Sequence, residues 1–289
     1  MTIVGGFLLL VAGFVALSLL GFVMAVRPPR LTVAVRPEDV NLRVESVVIH
    51  TTDGLRLAGW LAPRPGAPAV ILLHGYPAEK SDLLSLAAAL HPRFTVLLVD
   101  FRYFGESEGQ VTTLGFRERD DVRRAVDLLH ARGLTPVGVF GFSLGGAVAL
   151  LAAADEPRIR AVAAYAAFAD LRTLGLELYA YLWPLRDPFV RLLRLWARLF
   201  LGADVTRPSP AEAAARLDVP VLLIHSRQDE QIPFAHAERL RQALAGNRAT
   251  DFAFLDRARH GELGLDLERR VADFFTEHLR PPPPKIPPR

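Results

Sequence analysis

Cysteine is absent from the 289 residues, which excludes a disulfide framework, a thiolate nucleophile and a cysteine-ligated zinc, and leaves the redox compartment undetermined. Any covalent chemistry must therefore run on oxygen or nitrogen. Lysine is nearly absent as well: Lys80 and Lys285 are the two, so the basic balance is carried by arginine. The net charge of +3 is small for this length and gives no electrostatic reason to expect a nucleic-acid partner. Charge is missing altogether between Ile3 and Val26. Elsewhere the chain is ordinary in size and composition, with 51% hydrophobic and 22% charged residues, enough to bury one sizeable core with an appendage.

The uncharged N-terminal run has transmembrane length. At 1.5 Å per residue it reaches about 35 Å, against a hydrocarbon core of about 30 Å. A cleaved signal peptide is the alternative, but no Lys or Arg precedes the run and Val23-Met24-Ala25 makes a poor cleavage site. Residues 1–26 therefore read as a single-pass membrane anchor. Arg27, Arg30 and Arg36 follow it, and the positive-inside rule places the remainder in the cytoplasm.

A Pro- and Arg-containing linker, 27–43, leads into a domain expected to cover 44–280. Its first segments, Val44 to His50 and Leu55 to Leu61, largely alternate apolar and polar residues around Asp53-Gly54, as an antiparallel hairpin does. Short continuous apolar runs follow: Ala69 to Leu73, Val96 to Val99, Val137 to Phe140, Ala161 to Tyr165 and Val219 to Ile224. Runs of this kind suit parallel strands covered on both faces, and helical periodicity such as that of Gly115 to Ala131 lies between them. The pattern is that of an α/β fold with a doubly wound, mostly parallel sheet. The stretch from about 169 to 216 is too long for a crossover and reads as a helical lid insertion. The proline-rich residues 281–289 read as an extended, disordered tail.

The chemistry centres on Gly141-Phe142-Ser143-Leu144-Gly145-Gly146, which lies between an apolar strand and a helix of small residues. A sharp strand-to-helix turn of this composition projects a nucleophilic hydroxyl above a sheet, so Ser143 is the candidate nucleophile. A serine needs a base to take its proton and a third group to hold that base. Asp229 follows the strand that ends near Ile224, and His260 follows the next strand, in the chain order such a triad requires. Asp229 could instead cap the helix that starts near Phe234, with Glu230 and Asp170 as the other acids. His260 could instead be a surface histidine paired with Glu262. The backbone N–H groups of Tyr76 and Leu144 are the candidate oxyanion donors, since Gly75 permits a tight turn and Pro77 has no N–H to offer.

His74-Gly75, Asp100-Phe101-Arg102-Tyr103-Phe104-Gly105-Glu106-Ser107, the turn at Ser143, Asp229 and His260 together resemble the α/β-hydrolase superfamily, closest to its prolyl-peptidase-like and dienelactone-hydrolase-like branch. The resemblance covers about Val44 to Leu279. It implies a serine hydrolase that cleaves an ester, thioester or amide through an acyl-enzyme, with no cofactor and no metal. An acyltransferase using the same triad, or a membrane-anchored binding protein without turnover, is the alternative. Asp100 and Arg102 read as an ion pair or a turn beside the site. The expected partners are a small-molecule or lipid-like acyl substrate and, through the N-terminal helix, a membrane. In the lid, Arg191, Arg194 and Arg198 share one helical face. Either they are solvated above a simple cover, or they rest on anionic headgroups.

Overall fold

The computed structural model describes residues 3–31, 35–262 and 264–280. The proline-rich tail expected at 281–289 lies outside the described residues. Helix α1 (Ile3–Val26) precedes an eight-stranded sheet. Strand β1 (Glu45–His50) and strand β2 (Arg56–Ala62) form the expected hairpin, in register from Glu45 opposite Leu61 to His50 opposite Arg56. At its turn, Gly54 takes φ +86°, where a side chain would be strained.

Strand β3 (Ala69–Leu73), helix α2 (Leu84–Leu90), strand β4 (Thr95–Val99), helix α3 (Glu118–Ala131), strand β5 (Val137–Phe142), helix α4 (Leu144–Asp155) and strand β6 (Ile159–Tyr165) then alternate. Every residue of β3 and β4 is buried, which explains why these runs show no alternation. Helices α5 (Leu171–Leu178), α6 (Arg186–Leu201) and α7 (Pro210–Ala214) are inserted before strand β7 (Val221–Ser226). Helix α8 (Ala235–Ala243), strand β8 (Thr250–Leu255) and helix α9 (Leu265–His278) complete the described chain.

The strand order is β1-β2-β4-β3-β5-β6-β7-β8, with β1, β2 and β4 joined by antiparallel pairing and all other neighbours parallel. One core, around Val122, Val126, Val148 and Leu240, packs α3, α4 and α8 on one face; a second, around Leu84, Leu90, Val271 and Phe275, packs α2 and α9 on the other. The chain runs from β3 outward to β4 and returns past β3 to β5. That reversal opens a crevice at the carboxyl ends of β3 and β5, where a doubly wound sheet keeps its ligand site.

Helix α1 does not stand apart from this body. The Phe14 and Phe189 rings lie 5.8 Å apart, those of Phe22 and Phe200 5.9 Å, and Trp196 Nε1 donates to Ser18 Oγ at 3.0 Å, all between α1 and α6. The chain beyond α1 is stitched to the loop after β4. Thr112 N–H donates to the Val26 carbonyl at 3.0 Å, and the Tyr103 hydroxyl to the Pro28 carbonyl at 2.6 Å.

Three arginines of α6 are paired with acids, Arg191 and Arg198 while still exposed to solvent. Arg191 pairs with Asp187, while Arg194 and Arg198 converge on Asp204 at 2.9 and 2.6 Å. From the sequence, Asp100 and Arg102 read as an ion pair or a turn; the structure gives each a different partner. Asp100 takes the ammonium of the buried Lys80 at 2.6 Å, and the Arg102 guanidinium grips Asp121 and Asp53 at 2.7 and 2.8 Å.

Candidate active site

Ser143 sits between the last residue of β5 and the first of α4, with φ 54° and ψ −115°. A non-glycine residue holds such a conformation only when its surroundings over-determine it, and here they do. Its N–H donates to the Tyr165 carbonyl at 2.8 Å, which fixes the turn against β6. Two glycines let the turn close. A Cβ on Gly145 would lie 2.2 Å from the Leu73 carbonyl oxygen, and one on Gly141 would lie 2.1 Å from the Gly145 oxygen.

The loops after β7 and β8 bring the other two candidates to this turn. His260 Nε2 lies 3.1 Å from Ser143 Oγ, and His260 Nδ1 lies 2.8 Å from Asp229 Oδ2. An Nδ1–H donated to the carboxylate leaves Nε2 as an acceptor, so the serine hydroxyl donates to the ring. The Phe142 ring packs against the imidazole at 4.9 Å between centres. Asp229 does not cap α8; its other oxygen, Oδ1, accepts the N–H groups of Gln231 and Ile232 at 2.9 and 2.8 Å. Burial alone would raise the Asp229 pKa, but the hydrogen bonds from His260 and these amides outweigh it and hold the carboxyl below the 3.8 ordinary for an aspartate.

The alternative acids are engaged elsewhere. Glu230 accepts the backbone N–H of His260 at 3.2 Å, steadying the loop, and Asp170 caps α5 through the Thr173 N–H at 2.7 Å. Glu262 accepts the backbone N–H of Arg259, so it is not the side-chain partner of His260. Tyr76 and Leu144 both face the cavity in which Ser143 lies. Leu144 opens α4, so its N–H has no acceptor within the helix and points to the positive end of the helix dipole. His74 braces the crevice from below: Nδ1 donates to the Gly75 carbonyl at 2.7 Å and Nε2 accepts the Phe101 N–H at 3.0 Å, while burial pushes its pKa down and keeps it neutral. Among the described residues, no three side chains of metal-ligating type converge.

A family model described as alpha/beta hydrolase fold matches residues 68–199. An uncharacterized protein of Mycobacterium tuberculosis is 34% identical over 247 residues, covering 80% of this chain and 79% of its own length. The chain belongs to the α/β-hydrolase family. A further relative, the uncharacterized protein YfhR of Escherichia coli O157:H7, is 31% identical over 258 residues, covering 82% of each chain. Among solved structures, this α/β hydrolase is similar to a Pyrococcus furiosus esterase, with a TM-score of 0.73 and 25% identity, over 89% of this chain and 99% of that one.

Two features of the hydrolase's site are not signalled by its motifs. The first is the bridge from insertion to core: His236 Nδ1 accepts the Ala169 N–H at 3.0 Å, and Nε2 donates to Glu177 of α5 at 2.7 Å. The second is that α1 lines the cavity, through Leu17, Gly21 and Ala25 among others. Ser18, the polar side chain in the second half of an otherwise apolar run, is the sequence signal for it, because its hydroxyl faces α6.

Proposed function

We propose that this α/β hydrolase is a serine esterase held at a membrane, with Ser143 as nucleophile, His260 as general base and acid, Asp229 as its orienting carboxylate, and the Tyr76 and Leu144 amides as oxyanion donors. The observation that carries the reading is the chain of contacts from Ser143 Oγ to His260 at 3.1 Å and from His260 to Asp229 at 2.8 Å, set at the floor of an apolar cavity. Ser143 Oγ attacks the acyl carbon as its proton passes to His260 Nε2, and the amides take up the charge on the carbonyl oxygen. The C–O bond to the alcohol then breaks, and His260 returns its proton to the departing alkoxide. Water, deprotonated by the same nitrogen, attacks the acyl-serine, and cleavage of that ester releases the acid and restores the hydroxyl.

An ester fits better than a peptide because Arg172 and Arg194, the charged residues lining the cavity, are both committed to acids of the insertion, Asp187 and Asp204. The apolar length of α1, which is enough to cross a membrane, supports the membrane association, with the hydrolase body on the side of Arg27, Arg30 and Arg36. A fluorophosphonate probe tests the central claim, since it reacts only with an activated serine. Labelling that maps to Ser143 and disappears in Ser143→Ala is expected; an unlabelled, folded chain that turns over no ester overturns the reading.

A further inference from the structure

The cavity above Ser143 has a volume of about 860 Å³, near the upper end for a site that takes one small molecule and far more than a short acyl group would fill. One wall belongs to α5 and α6. The facing wall is the last part of α1, where Leu17, Leu20, Gly21 and Ala25 look onto the same space as Ser143. The contact between the walls is close at Gly21, where a Cβ would lie 3.1 Å from the Phe189 ring. The wall is also bonded to the floor: the Tyr76 hydroxyl donates at 3.1 Å to the Ala25 carbonyl, one of the last carbonyls of α1 and so without an intrahelical partner.

The ring contacts of α1 with α6 begin at Phe14, and residues 3 to 13 of the helix precede them. At 1.5 Å per residue they reach about 16 Å, roughly half of a hydrocarbon core. The helix can cross a bilayer only if its docked turns also lie in apolar surroundings, and those turns carry α6 with them. The surface around them suits that depth. Tyr181, Trp183 and Leu199 are 76%, 79% and 63% exposed, and Leu185, Leu195 and Phe200 are exposed beside them. Tyrosine and tryptophan are the residues that settle where hydrocarbon meets headgroups. Arg191, Arg194 and Arg198 of α6 pair with Asp187 and Asp204, which offsets part of their positive charge on this face.

We propose that α1 is a wall of the substrate site as well as an anchor, and that the site takes the long acyl chain of an ester already dissolved in the bilayer, admitted between α1 and the lid. The proposal rests on the serine-esterase reading and adds the class of substrate and the route by which it arrives. A long chain crosses from hydrocarbon into an apolar cavity without passing through water, whereas a short soluble ester gains nothing from that route.

The test uses the full chain in phosphatidylcholine nanodiscs, with p-nitrophenyl palmitate and butyrate as probes. In Gly21→Leu the added branches drive into Phe189 and part the two walls; in Ala25→Trp the indole occupies the cavity. Each is expected to lower the ratio of kcat/KM for palmitate to that for butyrate by tenfold or more. A second measurement does not depend on those variants folding: quenching of tryptophan fluorescence by lipids brominated near the top of the acyl chain should lose a component in Trp183→Phe. Labelling of the parent chain at Ser143, with a chain-length ratio that neither substitution moves or with no quenching of Trp183, overturns the role of α1 and leaves the esterase standing. No labelling and no ester turnover overturns both.

Discussion

The floor of the cavity and its walls are held by different means. At the floor the three candidate triad residues are joined by hydrogen bonds: Asp229 accepts from His260, Gln231 and Ile232, His260 faces Ser143, and Ser143 is tied to Tyr165. Between α1 and α6 the contacts are almost all apolar, with one side-chain hydrogen bond, from Trp196 to Ser18, among the described residues. A hydrogen-bonded constellation fails when a single atom is wrong, because the remaining partners are left desolvated and mispositioned. A packed apolar contact degrades in proportion to the volume added or removed. The floor should therefore answer to isosteric changes and the walls only to changes in bulk.

The largest effect expected at the floor is that of Ser143→Ala, a loss of about 10⁶ in kcat, because triad members act as a unit. Asp229→Asn changes one atom and should cost about 10⁴ with folding intact. Glu230→Gln, which keeps an oxygen for the His260 N–H, should stay within about tenfold of the parent. Ester turnover by the three purified variants checks the ranking, and a reversed order of Asp229 and Glu230 would move the orienting acid.

The same contrast extends beneath the site, where Lys80 and Asp100 are both fully buried and Asp100 also accepts the Glu106 N–H at 2.9 Å. Lys80→Met keeps most of the side-chain volume but strands the carboxylate, so it should destabilise the fold by about 3–5 kcal/mol. Chemical denaturation of the detergent-solubilised chain measures this, and a loss below about 1 kcal/mol would mean that water reaches Asp100.

Acidification offers a milder probe. Activity should fall as pH falls, because a protonated His260 has no lone pair at Nε2 to take the serine proton. Asp229 should add no second ionisation in that range, since its carboxyl is held below 3.8. By the same sign, the stability contributed by the depressed Asp229 is complete above pH 3.8 and is lost only as pH drops through the lower folded-state value. A profile of kcat/KM flat through the acid limb would remove His260 as base.

At the walls, Trp196→Phe keeps an aromatic ring but loses part of the indole and the hydrogen bond to Ser18, so it should cost about 1–3 kcal/mol, read by denaturation. The smallest effect is expected from salt. If the contact with lipid is apolar, binding of the full chain to anionic vesicles should change less than about twofold between roughly 0.05 and 0.5 M salt, because screening acts on charge and not on buried apolar area. A steep salt dependence would return the α6 arginines to the role of headgroup contacts.

The floor was legible because its residues occur in short motifs whose order along the chain is itself diagnostic: the glycines around Ser143, then Asp229 after one strand and His260 after the next. The walls were not, because α1 is apolar on all sides and shows no face to match with a partner. Asp100 and Arg102 do structure the loop beside the site, as a turn would, but they are not an ion pair. Two opposite charges two residues apart suggest each other, yet their partners, Lys80 and Asp121, lie about twenty residues away and are brought near only by the sheet and α3. The alternating and continuous strand patterns, by contrast, reported burial directly, so the sheet could be traced to within a few residues at most strand ends.

Synthesis runs in one direction, and the bond between Ser18 and Trp196 joins residues 178 apart. At about 5–20 residues per second, roughly 10 to 35 s separate the appearance of the helix from that of its partner. Ser143, Tyr76 and strands β1 to β6 are all made inside that interval. The wall made first is used last, and while it waits it must be kept from the newly emerging apolar strands, which would bury it just as readily. If α1 lodges in a membrane early in synthesis, as proposed, that competitor is removed from the folding sheet, and the cavity closes only when α6 arrives to meet it.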